Sequence, residues 1–221
     1  MDQLLLAFDL DGTLIDSAQD ICNAVNKTVA HFNKPLFPDE LIVAHIGEGL
    51  RKLLADLFPE AKENPAKADL LESVFLHHYE AEMLKTTTVY PGVEDFLTGF
   101  KGSIAIITNK NAGPAREVVS HLKLNRFPWV HIFGADSLAE KKPSPLPLQT
   151  VIASANAKLE NSFMIGDGTP DMVSAKRAGV KSIAISFGYT QLEVLNRHNP
   201  WAVLNRYSDL HSLISNTEIR S

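Results

Sequence analysis

Five short apolar runs, at residues 4–8, 103–107, 129–133, 162–165 and 182–185, recur along the chain with helical patterns between them. Each is followed by polar or glycine punctuation, the way a buried strand ends. The segments 112–122, 146–157 and 170–178 have the apolar spacing of helices. Strands that alternate with helices predict an α/β fold, a parallel sheet covered on both faces.

One interval breaks the rhythm. More than ninety residues separate the first two runs, far more than one crossover helix requires. Residues 17–32 set Ile21, Val25, Thr28 and Val29 near helical spacing, and 40–58 and 66–84 read similarly, with Asp16, Ser17 and Asp39 as N-cap candidates. Residues 15–88 are therefore expected to form an all-helical insert, and residues 1–14 with 89–221 the sheet domain. Val89-Tyr90-Pro91-Gly92 is a turn and hinge signal for the return. The two linkers, near 14–17 and 86–91, would lie side by side above the sheet and let the insert open and close as a lid.

A chain of 221 residues suits one large domain or a domain with a smaller insert, and 45 % apolar residues suffice for a sizeable core. The net charge of -5, with no basic run longer than Lys141-Lys142, speaks against nucleic acid or an acidic membrane surface as a partner. No stretch reaches the ~20 apolar residues of a membrane span. Cys22 is the single cysteine, so an intramolecular disulfide is impossible and a reducing compartment fits. The first apolar run is too short for a signal peptide and ends in Asp9, which makes the cytoplasm the expected location.

In an open parallel sheet, ligands bind beyond the carboxyl ends of the strands. The residues just after the expected strands are Asp9 to Thr13, then Thr108-Asn109-Lys110, then Lys141-Lys142-Pro143, and finally Gly166-Asp167 with Asp171 one helical turn on. Taken alone, an Asp after a strand is ordinarily a helix cap or turn former, and a Lys beside Pro is ordinarily solvated. Their convergence on one rim changes that reading. Carboxylates crowded together repel, and a hard divalent cation with oxygen ligands relieves the repulsion; Mg2+ is the usual choice where phosphate is also bound. A nearby lysine adds positive charge for phosphoryl oxygens.

Asp9-Leu10-Asp11-Gly12-Thr13-Leu14, followed in order by Thr108, Lys142 before Pro143, and Gly166-Asp167 with Asp171, resembles the signatures of the haloacid dehalogenase-like hydrolase superfamily over nearly the whole chain. Within it, Lys142-Pro143-Ser144-Pro145 and the Gly47-Glu48-Gly49 turn resemble the phosphoglycolate phosphatase group. The resemblance implies a Rossmann-like core with strand order 5-4-1-2-3 and a helical cap inserted after the first motif. It implies a small phosphorylated metabolite as substrate, phosphoglycolate first, and Mg2+ as cofactor. Asp9 would be the nucleophile that forms an aspartyl phosphate, and Asp11 the proton donor and acceptor. Thr108, Asn109 and Lys142 would hold the phosphoryl oxygens. Asp9, the Asp11 carbonyl and Asp167 would hold the metal, with Asp171 doing so directly or through water. Gly168 departs from the hydroxyl residue common at its position in the family. Arg51 is a candidate for a substrate carboxylate, with the amides of the glycine turn as the alternative; His45, His77 and His78 read as bland cap residues. Lys142→Met is expected to cut turnover and leave stability nearly unchanged, with Lys141 tolerant. A sugar phosphomutase of the same superfamily is the alternative function. A dehalogenase is disfavoured by Asp11, since carbon–halogen cleavage leaves no oxygen to protonate, and a silent binding protein by the presence of both Asp9 and Lys142.

Overall fold

Strand β1 (Leu5–Phe8) has every side chain buried, as a strand does only when helices cover both faces of its sheet. The chain continues through the two-residue strand β2 (Ile15–Asp16) and the helices α1 (Ala18–His31), α2 (Asp39–Val43), α3 (Leu50–Leu57), α4 (Glu60–Glu63) and α5 (Pro65–Glu82), to a second two-residue strand, β3 (Thr88–Val89). It then alternates through α6 (Val93–Gly99), β4 (Ser103–Ile107), α7 (Ala112–His121), β5 (Trp129–Phe133), α8 (Leu146–Ser154), β6 (Ser162–Gly166), α9 (Thr169–Ala178), β7 (Lys181–Ile185), α10 (Leu192–Asn196), β8 (Ala202–Leu204) and α11 (Leu210–Ser215). The structure, a computed structural model, describes residues 4–215.

The six-stranded sheet runs β5-β4-β1-β6-β7-β8, with every neighbouring pair parallel. Its first five strands in chain order give the expected 5-4-1-2-3 arrangement, and β8 extends the β7 edge. That sixth strand was not among the expected ones: three residues, two of them only half-buried, are too short an apolar run to stand out. Because the chain leaves β1 toward opposite edges through β4 and β6, the end of β1 is the topological switch point, where such sheets bind ligands.

The inserted helical cap packs chiefly through α1 on α5. Ile21, Val25 and Val29 recur at helical spacing on α1, and Leu71, Phe75 and Tyr79 on α5, with the Phe75 and Tyr79 rings stacked at 5.4 Å. The helix expected over 40–58 is two helices. Gly47 and Gly49, at φ 116° and 94°, break it, since neither angle can continue a right-handed helix. Ser17 stands at the N-cap of α1, but Asp39 is the first residue of α2 and Pro38 takes the cap. Cys22 is buried, and burial with Asp39 and Glu40 nearby pushes its thiol up to about 12. Among the described residues no helix is long and apolar enough to cross a membrane.

The cap joins the sheet through an antiparallel ribbon, in which β2 pairs with β3, Ile15 opposite Val89 and Asp16 opposite Thr88. One buried carboxylate ties this junction. Asp20 accepts hydrogen bonds from the backbone N–H and the hydroxyl of both Thr86 and Thr87, at 2.7–3.1 Å. Burial raises its pKa, but the threonine donors outweigh it and the net shift is downward. Asp20→Ala leaves those donors unpaired and is expected to cost about 2–4 kcal/mol, read from the urea midpoint at constant m-value. The wild-type contribution is present above the ordinary carboxylate range and lost as pH falls through the depressed pKa.

Candidate active site

Asp9 is the first residue beyond β1, held there by its N–H donating to Ile165 O at 2.9 Å across to β6. Its carboxylate accepts from Leu10 N at 2.7 Å and lies 2.8 Å from Lys142 Nζ. The same ammonium donates to Asp171 Oδ1 at 2.6 Å. Asp171 reaches this point because the first turn of α9 points it back at its own N-terminus, where Gly168 N donates to Oδ2 at 2.9 Å. Asp167, just past β6, accepts from the Thr13 hydroxyl at 2.9 Å and Tyr189 N at 2.8 Å. The turn that brings Thr13 there needs Gly12, which sits at φ 77° and whose Cβ would stand 2.2 Å from an Asp167 oxygen.

One oxygen from each of Asp9, Asp167 and Asp171 falls within 4.8 Å of the other two, and all three residues are buried. A single ammonium among three carboxylates leaves negative charge uncompensated away from water. Burial, then Asp171, raise the Asp9 pKa well above the ordinary range against the pull of Lys142. Burial and Asp171 likewise push Asp167 up to about 7, opposed by Tyr189 N and the Thr13 hydroxyl. Burial lowers the Lys142 pKa, but Asp171 and Asp9 raise it more, so Lys142 stays charged. Hard oxygen donors with excess negative charge, crowded into a space comparable to the ~4 Å span of a Mg2+ ligand shell, fit a divalent cation.

Asp11 faces the same cavity from the next turn. Its carboxylate accepts from Ser17 Oγ at 2.5 Å and from Lys110 Nζ at 2.9 Å to each oxygen. Thr108, directly after β4, is buried and lines the cavity with Asn109. The Asn109 amide donates to Lys142 O at 3.0 Å and to Gly47 O at 3.1 Å, joining the Lys142 loop to the cap turn. The cavity is small, about 70 Å³, and Ile46, Gly47, Gly49, Leu50 and Leu53 of the cap roof it over. That is room for a small ligand and not for a folded protein.

The family model of haloacid dehalogenase-like hydrolases matches residues 6–185. The chain belongs to that family. It is 33 % identical over 216 residues to a phosphoglycolate phosphatase of Colwellia psychrerythraea, covering 93 % of this chain and 94 % of the relative. It is 33 % identical over 217 residues to one of Chromobacterium violaceum, covering 96 % of both. The crystal structure of a predicted phosphoglycolate phosphatase from Haemophilus somnus superposes with a TM-score of 0.87 at 22 % identity, covering 96 % of this chain and 98 % of that one, which shows the shared fold.

Among the residues singled out from the family motifs, Asp9, Asp11, Thr108, Asn109, Lys142, Asp167 and Asp171 converge at this end of the sheet. Arg51 does not join them. Its side chain is 63 % exposed and pairs with Asp69 and with Glu72, the latter at 2.9 Å. It does not line the cavity, because two carboxylates on the outer face of α5 satisfy it in water. Arg51, a candidate for a substrate carboxylate in the sequence, thus stands outside the cavity in this structure. His77 lies on that same outer surface, and His45 turns back to Leu41 O. Lys141 is less idle than its sequence context implied: its ammonium donates to Glu48 O at 2.8 Å, pinning the cap turn. Lys110, Tyr79 and Tyr189 had no role in the sequence reading, and Ser17 only that of an N-cap candidate. Lys110 stood in the triplet after the second strand, whereas Tyr79 shows only the i+4 spacing of any buried helix residue.

Proposed function

We propose that this chain is a Mg2+-dependent phosphatase of small phosphate monoesters, with phosphoglycolate as the leading substrate, and that it works in the cytoplasm through an aspartyl phosphate on Asp9. The observation that carries the reading is Lys142 Nζ bridging Asp9 and Asp171 at 2.8 and 2.6 Å beside Asp167, with Asp11 facing the same cavity. The names of the relatives support the substrate. Asp9 attacks phosphorus. Asp11 protonates the leaving oxygen and then takes a proton from the attacking water. Thr108, the Asn109 backbone N–H and the amides after Asp9 hold the phosphoryl oxygens, and Lys142 neutralises them. Asp9, Asp167, Asp171 and the Asp11 carbonyl would hold Mg2+, which when bound supplies charge stabilisation at the phosphoryl group. Residues 15–88 move as one unit on the β2–β3 ribbon and exclude water from the phosphoenzyme.

The test is phosphate release from a panel of phosphorylated metabolites with Mg2+ and with a chelator. Release from phosphoglycolate that disappears with chelator and returns with Mg2+ is the expected result. Isomerisation of a sugar phosphate without net phosphate release would instead make the chain a phosphomutase.

A further inference from the structure

We propose that Lys110 and Tyr79 are the specificity-determining residues, binding the carboxylate that lies one carbon from the ester oxygen of the proposed substrate. The inference rests on the phosphatase reading with phosphoglycolate as its leading substrate, and deepens it by naming the side chains that select for that carboxylate.

Away from Asp9, the cavity wall is largely apolar, contributed by Ile21, Ile46, Leu50, Leu53, Phe75 and Leu76. Among the described residues that line it, Lys110 carries the one cationic side chain; Lys142 lies behind Asp9 and is not part of the wall. The Lys110 side chain is 9 % exposed, and its ammonium sits 4.8 Å from the centre of the Tyr79 ring. An ammonium has three N–H donors, and here Asp11 occupies two of them. Tyr79 lines the same wall, and its buried hydroxyl lies beside the Lys110 ammonium without a hydrogen bond of good geometry to it or to any other described group. Native proteins rarely leave a buried hydroxyl unpaired, and a ligand is one of the few reasons to do so. A cation beside a hydroxyl that no other described residue pairs, in a water-poor wall, matches a carboxylate more closely than a neutral group.

The spacing narrows the ligand further. In the proposed mechanism Asp11 must reach the ester oxygen by a hydrogen bond, and Lys110 is hydrogen-bonded to Asp11. The group that meets Lys110 is therefore only one or two bonds beyond the ester oxygen. In phosphoglycolate one methylene separates the two. A sugar phosphate would instead press its hydroxyls against the isoleucine and leucine side chains, leaving them without partners.

The matched probes are phosphoglycolate and ethyl phosphate, which differ by a carboxylate against a methyl. The readout is the ratio of their kcat/KM values, so any common loss from disturbing Asp11 cancels. Wild type is expected to prefer phosphoglycolate. Lys110→Met should lower that preference roughly 10- to 150-fold, the range of one charge-assisted contact. Tyr79→Phe keeps the ring over the ammonium and should lower it about 3- to 10-fold, the range of one neutral hydrogen bond. Lys110→Arg, which keeps the cation, should recover part of what Lys110→Met loses. An unchanged ratio in both Lys110→Met and Tyr79→Phe overturns the proposal, as does a wild type that treats the two esters alike. If Lys110→Met fails to fold, Tyr79→Phe decides alone. A wild type that releases phosphate from neither ester nor from any other metabolite overturns the phosphatase reading itself, a separate outcome.

Discussion

Asp9→Asn is expected to lower kcat by more than ~10^3-fold on every phosphate ester while the protein stays folded. The amide has the shape of the carboxylate but no oxygen nucleophilic enough to attack phosphorus. It also removes one of three crowded carboxylates whose burial raises the Asp9 pKa. Lys142 keeps Asp171 at 2.6 Å as its partner. Loss of activity should therefore come with a melting temperature in chelator equal to or above that of wild type, an unusual pairing for a substitution at a buried position. Stopped single-turnover reactions should show no acid-stable phosphoprotein in the variant. Substantial residual turnover, or a trapped phosphoenzyme, would sink Asp9 as the nucleophile.

Much of the sheet was legible because parallel strands buried on both faces read as apolar runs, as β1, β4, β6 and β7 do, and the half-buried strand β5 carries such a run as well. β8 escaped because a three-residue edge strand buries too little to leave a pattern. The cap helices were legible from their spacing, but not the break between α2 and α3. There the apolar rhythm continues past Ile42 while Gly47 and Gly49 turn the backbone, and in that stretch the glycines outweigh the period.

The candidate site was legible to the extent that it is backbone-anchored. Asp9, Asp167 and Thr108 stand directly after strands, so topology alone gathers them, and Asp171 follows one helical turn on. Residues that arrive from the cap obey no such rule. Arg51 and Tyr79 both lie on cap helices, and only the packing of α5 against α1 and α3 decides which of them faces the core. The outer face of α5 supplies Asp69 and Glu72 for Arg51, and its inner face supplies Tyr79 to the cavity. From sequence, a positive charge near a glycine turn looked the better candidate for an anion. The cation that lines the cavity belongs instead to the core, at Lys110.

Lys142→Met is the second large expectation, and here the structure revises the sequence reading. A lysine before a proline, beyond a strand end, suggested a catalytic residue whose loss would spare stability. Its side chain is instead fully buried between Asp9 and Asp171. Removing it should still cut kcat strongly, and it also leaves buried carboxylates without their cation. Breaking a buried ion pair costs about 3–5 kcal/mol. For a chain of this size, at about 2–4 °C per kcal/mol, that is a fall of about 6–20 °C in melting temperature in chelator near pH 8. The pH dependence follows from the carboxylates. In wild type Asp9 is already raised, and Asp167 is raised to about 7. Between the ordinary carboxylate range and those values the folded state binds more protons than the unfolded one, so stability falls as pH rises. Without Lys142 that fall steepens, since its charge no longer holds the carboxylates down. The deficit of the variant should thus be largest near pH 8 and shrink toward pH 5, where protonation relieves the repulsion. Saturating Mg2+ at pH 8 should recover part of it, because the ion replaces the missing positive charge. Equal melting temperatures for wild type and variant in chelator at pH 8 would mean that the three carboxylates are not confined together as drawn. A deficit that grew toward pH 5 would assign the stabilisation to some group other than these acids.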